Sequence, residues 1–154
     1  MSIEAKLQEL DLRLPEPTKP SFQYLSVCTH DGIAYLAGQI PKTGPTELLH
    51  AGKVGREVSL DQARACARLA VLHGLSWLRH ELGGLDRVER ILRLDGYVAV
   101  APGFLDMSRV IDAASELLVS LFGDRGRHPR SVLGVAVLPR DAPVLVEMTV
   151  AIRP

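Results

Sequence analysis

The chain has 154 residues, 47% of them hydrophobic and 23% charged, which suits one domain with a sizeable core and excludes extensive disorder. Lysine plus arginine equals aspartate plus glutamate at 18 each, so the chain lacks the basic footprint of a dedicated nucleic-acid binder. No apolar run approaches the roughly 20 residues of a bilayer span, and MSIEAKLQEL has no basic region leading into an apolar one, so a cytoplasmic protein with no membrane partner is expected.

In chain order, Ile3, Leu7 and Leu10 follow Ser2 at helical spacing, which predicts a short amphipathic helix with a serine cap. Prolines 15, 17 and 20 then hold the chain extended, so residues 1–20 read as a helix and a proline-rich lead-in to a single domain spanning 1–154. The runs Phe22–Cys28 and Ile33–Ala37 flank Asp31-Gly32, a strong hairpin signal because both residues accept positive φ, and His30 falls at the turn tip. Gly38-Gln39-Ile40-Pro41 ends the return strand. Gly38 reads either as a close backbone approach or as an exposed amide able to hold a ligand oxygen. Residues 52–58 read as a short strand.

Ser59-Leu60-Asp61-Gln62 is a capping box. It opens a helix whose face runs through Ala63, Ala67, Ala70, Val71, Gly74 and Leu78 and which stops at Gly83. His73 and His80 lie two turns apart on it, too far to share a metal without further ligands, and no metal or cofactor is expected. Residues 88–100 read as a long strand, with Leu92, Leu94, Gly96, Val98 and Val100 on one face and Arg93, Asp95, Tyr97 and Ala99 on the other. A second helix is predicted over 106–122, buried through Val110, Ala113, Ala114, Leu117, Leu118 and Leu121. The arginine-rich loop 124–130 reads as either solvated or an anion site, since guanidinium grips carboxylates bidentately. Residues 128–147 read as two apolar strands joined by a tight turn, with Arg130 at the entrance and Glu147 pointing away from the row Val144, Val146, Met148, Val150 and Ile152. Cys28 and Cys66, in no CxxC spacing, are expected to be buried free thiols.

The order predicts an α+β fold, a single sheet with two helices on one face. Many residues of its other face are expected to be apolar too and covered by self-association.

Ala37-Gly38-Gln39-Ile40-Pro41 and Pro129-Arg130-Ser131 through Leu138-Pro139 to Glu147, in this order and spacing, resemble the motifs of the RidA family, also called YjgF or endoribonuclease L-PSP. The resemblance implies a chorismate-mutase-like fold and a homotrimer with clefts between subunits, each taking a small carboxylate such as a 2-oxo or imino acid. It assigns carboxylate binding to Arg130, helped by the amides of Gly38 and Val132, and places Tyr24 in the cleft. It also exposes departures. Ala37 stands where the family has serine, and Leu145 stands where it has its catalytic glutamate. Glu147, Tyr24 and Asp112, the last at a position where asparagine is common, are the remaining candidates for acid/base work.

The expected function is therefore a carboxylate-binding trimer with 2-iminobutanoate/2-iminopropanoate deaminase activity weakened or altered. RNA cleavage and a non-enzymatic, chaperone-like trimer are the alternatives. The neutral charge and an aromatic content of only 5% count against a nucleic-acid partner.

Overall fold

A computed structural model describes all 154 residues. Helix α1 (Ile3–Glu9) begins at Ser2, whose hydroxyl accepts from the Ala5 amide at 3.1 Å, and it buries Ile3 and Leu7. The following hairpin pairs β1 (Val27–His30) with β2 (Ile33–Leu36). Its two-residue turn has φ of 48° at Asp31 and 76° at Gly32, as the sequence signal requires. His30 is not the turn tip: it closes β1 opposite Ile33. The strand also starts later than predicted, because Phe22, Tyr24 and Leu25 are 80%, 52% and 71% exposed and do not reach the core. No strand forms over 52–58, where Val54 makes only isolated bridges to Val58 and Val100.

Helix α2 (Leu60–Leu82) has both halves of its capping box, Ser59 with Gln62 at 3.0 and 3.1 Å, and Gly83 ends it at φ 75°. Strand β3 (Val88–Ala99) carries register shifts between Val88 and Arg90 and between Ile91 and Arg93. Such bulges break strict alternation, so Ile91 is buried and Leu92 only half-buried, against the predicted row. Helix α3 (Met107–Phe122) buries the predicted face, with Ile111 and Phe122 added.

Strands β4 (Arg130–Val135) and β5 (Val144–Ile152) are not a hairpin. The sheet order is β1-β2-β5-β3-β4, with β3 between them, parallel to β4 and antiparallel to β5. Thirty-one buried residues form the main core, where the apolar row of β5 packs on α2 while α3 packs on β3 and β4, both helices lying on one face of the sheet.

The opposite face carries many apolar residues, as expected, and also a charged cluster that the alternation of residues does not emphasise. Arg93 grips Asp95 at 2.9 Å and donates to Ser131 Oγ at 2.8 Å, and Glu147 stands opposite Asp95 across the ladder. Tyr35 and Leu133 supply exposed apolar area, 48% and 54% exposed. Cys28 is paired with Tyr35 and is exposed with it, whereas Cys66 is buried as expected. No helix is long and apolar enough to cross a membrane.

Candidate functional site

Arg130 opens β4 at the edge of the sheet, beside α3. Its Nη1 donates to Asp112 Oδ1 and to Ser115 Oγ, each at 2.9 Å, and Nη2 donates to the Ser108 carbonyl at 3.3 Å. Asp112 and Ser115 are three residues apart on α3 and so share a face. His128 holds the arrangement from behind: its Nδ1 lies 2.6 Å from the Gly126 carbonyl and its Nε2 lies 2.9 Å from Ser115 Oγ. A carbonyl only accepts, so Nδ1 carries the proton and Nε2 accepts from the serine hydroxyl. Donation thus runs one way, from Arg130 to Ser115, from Ser115 to His128, and from His128 to Gly126. Burial and, secondarily, the Arg130 charge push the His128 pKa down, which favours the neutral ring this chain needs, although the bond to Gly126 opposes the shift.

The Leu94 amide donates to Pro129 O and the Val100 amide to Val135 O, so the odd-numbered residues of this segment face β3. By the period of two, the amide of Val132 points out of the free edge of the sheet. Arg130 and the Val132 amide therefore present donors on one open edge.

A second group of predicted residues lies beyond β2. The Gly38 amide donates to no acceptor in the chain, whereas its neighbours donate to Ser26 and Val146 carbonyls. A Cβ at Gly38 would meet Leu145 Cδ2 at 2.5 Å, so glycine allows this close approach and Leu145 shields it. Gly38, Leu145 and Tyr24 line a cavity of about 630 Å³. Ala37 adjoins it in sequence, half-buried and without a hydroxyl.

These groups do not meet within one chain. Between β2 and β4 lie β5 and β3, three strand spacings or roughly 14 Å. Glu147 belongs to neither group: on the uncovered sheet face, its Oε1 accepts from Tyr97 Oη at 3.1 Å. Burial first, then this carboxylate, raises the Tyr97 pKa, so the phenol stays protonated. Asp112 is ion-paired and holds Arg130 rather than standing free as an acid or base. Ser115 and His128 escaped the sequence reading because their role depends on α3 and the 124–130 loop packing together. The His-Pro-Arg run offered a signal only for the loop. No group of three or more His, Cys, Asp or Glu is arranged to hold a metal ion.

A family model described as "YjgF/chorismate_mutase-like, putative endoribonuclease" matches residues 4–152. Protein TCP17 of Trypanosoma cruzi is 34% identical over 152 residues, covering 98% of this chain and 94% of that protein. Among solved structures, Atu1372 of Agrobacterium tumefaciens is 32% identical with a TM-score of 0.89, covering 98% of this chain and 92% of that one. A "putative endoribonuclease" of Shewanella oneidensis is 28% identical with a TM-score of 0.93, covering 99% and 100%.

Proposed function

This chain belongs to the YjgF/chorismate mutase-like family, and from that premise we propose that it works as a homotrimer binding a small 2-oxo or imino carboxylate between subunits. One observation carries the reading: the residues matched to the family's cleft fall into two groups on opposite sides of the sheet, each with an amide free of protein acceptors or facing an open edge. In a ring, the β4 edge of one copy meets the Gly38 group of the next. Arg130 and the Val132 amide then come from one subunit, and Tyr24, Ala37, Gly38 and Leu145 from its neighbour.

Imine hydrolysis adds water to the C=N carbon, breaks the C–N bond and releases ammonia with the 2-oxo acid. That chemistry needs a group to orient water and move a proton. Leucine and alanine at 145 and 37 supply neither. Glu147 is bonded to Tyr97 away from the cavity, and Asp112 is occupied by Arg130. Binding is therefore the retained function, with deaminase turnover slow. RNA cleavage is less well supported, since buried His73 and half-buried His128 are both engaged by carbonyls and hold structural roles.

Calorimetry with 2-oxobutanoate tests the reading alongside ammonia release from 2-iminobutanoate generated in situ. Wild type is expected to bind the oxo acid, Arg130→Ala to lose binding, and ammonia release to exceed background only slightly. Equal binding by wild type and Arg130→Ala overturns the assignment.

A further inference from the structure

The cavity that Gly38 borders extends well beyond the space a three- or four-carbon acid fills. The proline-rich segment through Phe22 forms one wall, residues 42–45 with Arg140 another, and His73 and Trp77 of α2 contribute between them. Buried polar side chains of α2 fasten both walls. Ser76, 1% exposed, donates to the Pro15 carbonyl, and His73, 8% exposed, bonds the Lys42 carbonyl at 2.9 Å. The volume, about 630 Å³, is that of a site for a drug-sized molecule.

Its charges are unbalanced. Lys42 is half-buried, and its ammonium has neither an ion pair nor a hydrogen bond. Arg140 meets only the Pro45 carbonyl, at 2.9 Å. The adjoining acid, Asp141, is turned to Lys53 at 3.1 Å, which leaves Glu16 on the proline-rich segment as the one acidic residue in the lining. Burial first, and then the Arg140 charge, push the Lys42 pKa down. Arg140 and Asp141 also hold φ of 57° and 58°, left-handed conformations that residues with a Cβ adopt at a cost and that concentrate at functional sites.

We propose that this cavity binds an organic anion with an apolar, ring-sized body, the anionic group held between Lys42 and Arg140 and the body lying against Tyr24 and Trp77. The site lies within a single chain and does not use Arg130. The cavity shares Tyr24, Gly38 and Leu145 with the proposed intersubunit cleft, and Arg130→Ala, which removes the cleft's own anchor and none of this cavity's lining, tells the two readings apart.

Trp77 is the only tryptophan, so energy transfer from it reports occupancy of this cavity. The probes are 8-anilinonaphthalene-1-sulfonate and its uncharged counterpart N-phenyl-1-naphthylamine, titrated into the full-length protein. Tryptophan-sensitised, saturable binding of the sulfonate is expected. Lys42→Gln and Arg140→Gly should each weaken it about tenfold, the loss of one charge-assisted contact, while the neutral dye changes less than about twofold. Arg130→Ala should bind the sulfonate as wild type does. Because glycine accepts φ 57° freely, Arg140→Gly should keep or raise the unfolding temperature, which separates loss of the site from loss of fold. Sulfonate affinity unchanged in both charge variants, or equal affinity for the two dyes in wild type, overturns the proposal.

Discussion

Replacing Asp112 with asparagine (D112N) removes the negative charge facing Arg130 while keeping the shape and an oxygen able to accept from Nη1. In the wild type that charge is 2.9 Å away, with the two side chains 24% and 53% exposed. An incoming carboxylate must compete with this internal one for the guanidinium. The pair is open enough to water for its strength to be near the upper end of exposed ion pairs, about 1 kcal/mol. Releasing Arg130 from the competition should therefore tighten 2-oxobutanoate binding about fivefold, measured by calorimetry at low salt. The gain should shrink as salt is raised, because both the ligand and the displaced charge are screened. Unchanged or weaker binding by D112N would refute the reasoning, and would mean that Asp112 orients Arg130 for the ligand rather than competing with it.

Two further outcomes follow from the buried groups. His73 and His128 both have pKa values lowered, chiefly by burial, so the unfolded chain takes up their protons first as pH falls. Stability is then full above the unfolded-state value of about 6.5 and is lost as pH falls from there toward the folded-state values; the unfolding temperature should drop over that range, and less steeply in His128→Gln, while an identical pH profile for that variant contradicts the neutral assignment of His128. Burial pushes the Cys66 thiol up to about 11, so in a Cys28→Ser variant the remaining thiol should resist Ellman's reagent until denaturant is added, and rapid native labelling would contradict its burial.

The local elements were legible because their signals are local. Ser59 and Gln62 name their own helix start, Asp31-Gly32 its turn, and the alternating valines of 144–150 their buried row. Strand order was not legible: residues 128–147 look like a hairpin, and only the pairing of both β4 and β5 with β3 between them shows otherwise. The bulges in β3 and the exposure of Cys28 likewise depend on which neighbour each strand acquires. At the site, the family motifs pointed to Arg130 and Gly38, but the loop reading could not show that Asp112, Ser115 and His128 complete the arginine's surroundings. Lys42 and Arg140 carried no sequence signal, since only the folding of the proline-rich segment across α2 brings their cavity into being.

Mixing subunits tests the division of the cleft most directly. Arg130→Ala lacks one group and Tyr24→Ala, at a side chain 52% exposed, breaks the other. Each variant alone should fail to bind 2-oxobutanoate while keeping its fold by circular dichroism. Unfolded together in equal amounts and refolded, they should recover about a quarter of the wild-type sites, the share in which an intact Arg130 from one copy faces an intact Tyr24 from the next. No recovery in refolded mixed oligomers would place both groups of residues in the service of one chain and contradict a cleft built between subunits.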